Sequence, residues 1–280
     1  MKRRFLLKAS GLAGLFGIAV SEVGERSAWA YGNAGCEEGV CNVGEQDASA
    51  VARGREFLVD LQLPDLDLLP EFRGHNVFCL YHDNYLAAKV LEKTHADVAT
   101  RISAAIRKHG VTQSGKIEML FGESALPLRH YELRDVAKVN GYQIRSEFTT
   151  DRIRSQEDIE GYADLLLFCA IADSDIERAR HAWKSALKSW DGVGFHDRAT
   201  AHSSLFATYK LSLALIAAGR DGLATPEDNE ILASCRQRLR SAQAESGGWI
   251  TDYRPDGSLV GQANVETTCL SIMGLCRVPS

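Results

Sequence analysis

The sequence lacks almost every local signature by which an enzyme announces its chemistry. It has no Gly-x-Ser-x-Gly nucleophile elbow, no P-loop and no dinucleotide fingerprint, so serine-hydrolase and nucleotide-binding readings have no anchor. No His-x-x-x-His or Cys-x-x-Cys pair is present. That spacing speaks against a metal, and neither metal nor cofactor is expected. Proline is scarce, six in 280 residues, and the composition is otherwise that of a globular chain, 45% hydrophobic and 25% charged, which excludes general disorder. Positive charge is also wanting. The formal net charge is −5, and residues 1–30 alone carry five Lys/Arg against two Glu, so the remainder stands at −8. No basic stripe is left to hold nucleic acid, and an acidic exterior suits an anionic membrane poorly.

What is there begins with an export segment. Lys2, Arg3, Arg4 and Lys8 form a basic head, Ala9 to Val20 is apolar, and Ala28-Trp29-Ala30 offers a small-x-small cleavage site. The apolar run is too short to span a bilayer, so no membrane span is expected in the mature chain. Arg3-Arg4-Phe5-Leu6-Leu7-Lys8 resembles a twin-arginine signal, departing from it at Lys2 and Leu6. The resemblance implies an extracytoplasmic protein, secreted or held in the cell envelope. Residues 31–47, rich in Gly, Asn, Glu and Cys, read as a linker. Cys36 and Cys41 are placed to close a small disulfide loop, whereas Cys79, Cys169, Cys235, Cys269 and Cys276 fall in apolar helical patterns and read as buried small hydrophobes.

From Ala48 onward the pattern is helical and paired. Ala48–Leu63 is ended by Pro64. Val77–Lys93, Glu157–Ala172, His202–Ala218 and Val265–Cys276 are apolar nearly all round. Ala96–His109, Asp175–Trp190 and Glu227–Glu245 are apolar on one stripe, the last with Thr225 as cap and Pro226 in the first turn. A helix buried on every side belongs inside and a striped one outside. The expected architecture is therefore all-α: a ring or arc of helical hairpins, with four inner helices and four outer ones once Ala48–Leu63 supplies the last partner. One insertion breaks the rhythm at about 115–150. Leu126–Leu133 and Tyr142–Phe148 alternate with period two around Asn140-Gly141, which predicts a β-hairpin.

Two loops recur at the ends of striped helices, Trp190-Asp191-Gly192-Val193-Gly194-Phe195-His196-Asp197 and Gly247-Gly248-Trp249-Ile250-Thr251-Asp252-Tyr253. With Ala263-Asn264-Val265-Glu266-Thr267-Thr268 after the second, residues 77–276 resemble the α/α toroids of the terpenoid cyclase and protein prenyltransferase type and the six-hairpin glycosidases. The resemblance implies a toroid and a site at its mouth, and leaves activity open. The cyclase acid centre Asp-x-Asp-Asp is not present, Asp65-Leu66-Asp67 being its nearest echo. The prenyltransferase zinc set is not recognisable. Cys41 and Gln46 are spaced too widely for the thioester branch.

Parallel inner helices would bring their starts, and the loops leading into them, to one rim. Asp164 falls there too, and the candidate catalytic acids at that rim are Asp83, Glu266, Asp197 and Asp252. Asn84, Glu118, Glu123, Trp190, His196, Trp249 and Tyr253 are candidate binding residues. Paired carboxylates suit glycosidic hydrolysis, one giving a proton to the leaving oxygen and the other activating water or attacking, and Trp and Tyr stack on sugars. The same acids serve equally as helix caps, and the same tryptophans as plugs between hairpins. Tyr81-His82-Asp83-Asn84 and Phe195-His196-Asp197 each set His beside Asp, which reads first as a hydrogen-bonding arrangement. The functional expectation is an exported carbohydrate-active enzyme. Its rivals are a non-catalytic glycan- or protein-binding module and a terpenoid-cyclase-like enzyme.

Overall fold

The computed structural model describes residues 44–74, 76, 78–109 and 116–277. The export segment, most of the linker and the proposed Cys36–Cys41 loop lie outside the described residues. Ten helices are present among them: α1 (Glu45–Leu61), α2 (Tyr81–Leu91), α3 (Ala96–Lys108), α4 (Gln156–Glu160), α5 (Ala163–Ala172), α6 (Ile176–Leu187), α7 (Arg198–Ser203), α8 (Thr208–Ala218), α9 (Asn229–Ser241) and α10 (Val265–Arg277). Six strands accompany them: β1 (Phe78–Leu80), β2 (Arg129–Val139), β3 (Tyr142–Ile153), β4 (Phe206–Ala207), β5 (Ile250–Tyr253) and β6 (Leu259–Ala263).

The expectation of an all-α chain is corrected. The protein is about 53% helix and 20% strand, with two three-stranded sheets, which makes it mixed α and β. The reason is local. A chain entering a buried helix must satisfy its backbone groups before the helical ladder begins. At α2 this is done by β1, which pairs in parallel with β3, Phe78 opposite Gln143. At α8 it is done by β4, which joins β5 and β6 in order β4-β5-β6. The β2–β3 hairpin turns at Asn140-Gly141, both with positive φ, 49° and 87°, as a type I′ turn requires.

The apolar helices pack on one another in the order α2, α10, α8, α5, with α3, α1, α9 and α6 behind them respectively. Burial follows from composition. In α8, Leu211, Leu213, Leu215 and Ile216 are all closed off from solvent, whereas α3 buries only the stripe Val98, Ala99, Ile102, Ala105 and Ile106. Between α5 and α2 lies a 3₁₀ turn, Ile117–Phe121, which packs on α5. Tyr81 donates to Glu118 from the α2 side, and Tyr85 meets Phe121 edge-on. The approach of α10 to α8 is unusually close. A Cβ on Gly274 would stand 2.9 Å from the carbonyl oxygen of Ser212, and the hydroxyls of Ser212 and Ser271 meet at 3.1 Å.

Charge ties the layers where apolar surface cannot. Asp47 of α1 is wholly buried and takes both Arg236 and Arg240 of α9. Two sequence-predicted helices are interrupted. Glu157–Ala172 breaks at Gly161-Tyr162, and His202–Ala218 breaks at Ser204, whose φ is +55°. Cys276, expected as a buried hydrophobe, is instead disulfide-bonded, and Cys79, Cys169, Cys235 and Cys269 are free. Among the described residues no helix is long and apolar enough to cross a membrane.

Trp249 pins this body together. Its ring is fully buried, its indole N–H donates to the Leu239 carbonyl at 2.7 Å, and its amide donates to the Thr268 hydroxyl. Gly247 before it has φ +92°, and a Cβ there would press within 2.4 Å of the Arg53 carbonyl oxygen. Trp249→Ala is expected to lower stability by about 3–5 kcal/mol in urea unfolding followed by far-UV circular dichroism. A loss below about 1 kcal/mol would mean that the ring is not a core element.

Candidate functional site

The first turns of α2, α5, α8 and α10 converge. The second residue of each is polar: His82, Asp164, Tyr209 and Glu266. Asp83 follows His82. Ligand-type atoms of His82, Asp83 and Glu266 all lie within 4.8 Å of one another, although the residues come from α2 and α10. His82 Nε2 is 3.2 Å from Asp83 Oδ1. His82 and Asp83 are buried and Glu266 is partly buried. On the adjoining side, the Tyr209 hydroxyl donates to Asp164 Oδ2 at 3.2 Å, and Lys116 Nζ stands 4.0 Å from the same oxygen. The two groups share one electrostatic environment. The Tyr209 hydroxyl is held well above its usual pKa by burial and then by the charges of Asp164, Glu266 and Asp197. It therefore stays protonated and acts as a donor. Burial, then Asp83 and Glu266, likewise push the Cys269 thiol up, so it stays neutral.

Helix starts explain why acids collect here. Four unpaired amides and the positive end of the peptide dipoles favour negative charge at each. Asn264 caps α10, its Oδ1 accepting from Thr267 N at 2.8 Å. The start of α5 is capped from a distance, Asp197 Oδ2 accepting from Ala163 N at 2.9 Å. Neither α2 nor α8 has a capping side chain, and the Thr208 hydroxyl in the first turn of α8 is buried without a partner.

The remaining sequence-predicted residues divide sharply. Asp197 is close by but fully engaged. It caps α7 through Ala199 N and Thr200 N, caps α5, and pairs with the buried Lys210 ammonium. Asn84 pins the preceding loop, accepting from Leu69 N and donating to the Leu69 and Leu80 carbonyls. Glu118 accepts from the Tyr81 hydroxyl at 3.1 Å. Glu123 is exposed. Burial raises its pKa, but hydrogen bonds from Lys89 and Tyr85 outweigh that and bring it below the usual range. Trp249 is in the core. Trp190 packs edge-on against Phe195, and the exposed His196 lies 3.6 Å from Asp191. Tyr253 stacks on Phe206 and donates to the Val193 carbonyl. Asp252 lies on β5 opposite Ala207 and Val260. The structure thus brings Asp83 and Glu266 together and gives the loop aromatics to packing.

Sequence reasoning set His82 beside Asp83 and Asp164 at the same rim without naming either a site residue, and it missed Tyr209. The signal that finds them is positional: each is the second residue of an apolar helix. Two open spaces lie near these elements. A groove of about 760 Å³ runs between α2 and α3, past Tyr81, Tyr85, Lys89 and Arg107, and a cavity of about 340 Å³ lies beside Tyr253, Arg238 and Gln237. No family model matches the chain, and neither a curated protein nor a solved structure matches it.

Asp197 and Lys210 provide a direct check on which acids are structural. Removing one partner of a buried pair strands the other charge. Asp197→Ala is expected to cost about 3–5 kcal/mol in urea unfolding, and Asp197→Ala with Lys210→Met to recover more than half of it. Equal losses in the single and double variants would show that the pair is not the source of the effect.

Proposed function

We propose that the protein is an exported enzyme that hydrolyses a carbohydrate, with Asp83 and Glu266 as the carboxylates at its reaction centre. The observation that carries this reading is their approach to within 4.8 Å across the starts of α2 and α10. Glycosidic hydrolysis uses two carboxyl groups roughly 5–9.5 Å apart, and this pair, with ligand atoms within 4.8 Å, falls just short of that span. Tyr209, kept protonated with its hydrogen on Asp164 and within the field of Glu266, leaves its oxygen as an acceptor for a sugar hydroxyl. Export is supported by the basic head and apolar run of residues 2–20. A disulfide at Cys276, a bond at home in oxidising compartments, agrees with it.

A second reading, a non-catalytic glycan-binding module, draws on one feature. The groove between α2 and α3 presents the partly exposed Tyr85 with Lys89 beside it, a surface on which a sugar can stack without reaching the carboxylate pair.

Turnover of a broad glycan panel separates the two. Asp83→Asn and Glu266→Gln are each expected to reduce kcat by about 10²–10⁴-fold with the far-UV spectrum unchanged. Full activity in the double variant removes the assignment of these carboxylates. Binding to the panel with no products at any pH favours the module.

A further inference from the structure

We propose that His82, Asp83 and Glu266 form a binding site for one divalent transition-metal ion, of the zinc or manganese type. This rests on the proposed reaction at the same carboxylates, whose part in it would then be to hold the ion.

The first argument is geometric. Atoms that share an ion at bond lengths of about 2.0–2.2 Å stand about 3.0–3.5 Å from one another. His82 Nε2 and Asp83 Oδ1 already do so, at 3.2 Å. The whole set lies within 4.8 Å, so a change of side-chain torsion on the partly buried Glu266 closes it. The second argument is desolvation. His82 is 2% exposed, yet its Nδ1 is buried and has no hydrogen-bond partner. A buried ring nitrogen without a partner loses its hydration for nothing in return. Either nitrogen of the ring can serve as the ligand atom, and an ion on Nδ1 would supply the partner that it lacks. A cation held between two carboxylates brought this close from separate helices would offset their mutual repulsion.

The donor set selects the ion. One imidazole nitrogen with two carboxylate oxygens suits Zn²⁺, Mn²⁺ or Fe²⁺, whereas Ca²⁺ and Mg²⁺ take oxygen alone and keep more water. Three protein ligands leave a coordination position open, which is the arrangement of catalytic rather than structural sites. When bound there, the ion would supply an acidified water at neutral pH. The spacing argument that spoke against a metal fails because the ligands sit on two helices, not on one helix or ribbon.

The test uses the full chain stripped with a chelator and dialysed. Calorimetric titration with ZnCl₂, and separately with MnCl₂ and CaCl₂, is expected to show one equivalent of the transition metal bound and no matching calcium isotherm. His82→Gln and Glu266→Gln are expected to weaken that binding at least 10-fold each, and His196→Ala, at an exposed histidine paired with Asp191, to leave it unchanged. Binding that is equal in wild type and both variants overturns the site. Should either variant fail to fold, Co²⁺ added to the stripped wild type decides: visible d–d bands displaced by one equivalent of Zn²⁺ support the site, and no bands overturn it. The two proposals fail separately. Glycan turnover that survives exhaustive chelation removes the ion and keeps the reaction, whereas stoichiometric zinc binding without turnover of any glycan keeps the ion and removes the reaction.

Discussion

Four helices that are greasy on nearly every side begin at the same end of the molecule, where the start of α2 meets that of α10 and the start of α5 meets that of α8. Each start presents free amides and a positive dipole end, so the meeting point is an electropositive focus inside an otherwise acidic chain. The structure answers with Asp83, Asp164, Asp197 and Glu266, and spends some of that negative charge on Lys210 and Lys116. Asp197 shows how tightly the arrangement is drawn. One carboxylate caps α7, caps α5 from across the chain and neutralises an ammonium in α8, thereby locking three helix starts to one another. The chemistry proposed for this end draws on acids outside that lock.

The strands serve the same meeting point. β1 delivers the chain to α2 and β4 delivers it to α8, each within a sheet built largely from segments far away in sequence. They fix the angle at which the helix starts arrive. The 3₁₀ turn Ile117–Phe121 fills the space between α5 and α2, and its Glu118 reaches Tyr81. The β2–β3 hairpin is thus joined to the helical body through β1.

Much of this was legible from residues and some of it was not, for physical reasons. The apolar run Leu165–Phe168 and the stripe Val98, Ile102, Ile106 told inner from outer helix, because burial on all sides and burial on one side demand different compositions. Asn140-Gly141 announced its turn through the φ values it alone tolerates well. The two- to five-residue strands β1, β4, β5 and β6 were invisible, since segments so short carry no usable alternation and owe their form to partners elsewhere. That is why an all-α reading was overturned. At the site, Asp83 and Glu266 could be chosen from position, but nothing in the sequence distinguishes them from Asp197, whose consumption by Lys210 is a tertiary fact. His82 was read as a hydrogen-bonding neighbour of Asp83, and the approach of Glu266 from another helix to within 4.8 Å of both is likewise a tertiary fact. The tryptophans of the glycine loops looked like sugar platforms and proved, at Trp249, to be the plug.

Gly274 carries a consequence beyond its own contact. With only a hydrogen between α10 and the Ser212 carbonyl, the separation of α10 and α8 is dictated by main chain against main chain. Glu266 and Tyr209 ride at the starts of those two helices, so the gauge of the mouth is set by peptide geometry and not by the bulk of core side chains. Leucines and isoleucines around it can drift over evolutionary time without recalibrating that spacing, while a single methyl at position 274 would act as a wedge, prising Glu266, about two turns away, from a tyrosine that the methyl never touches.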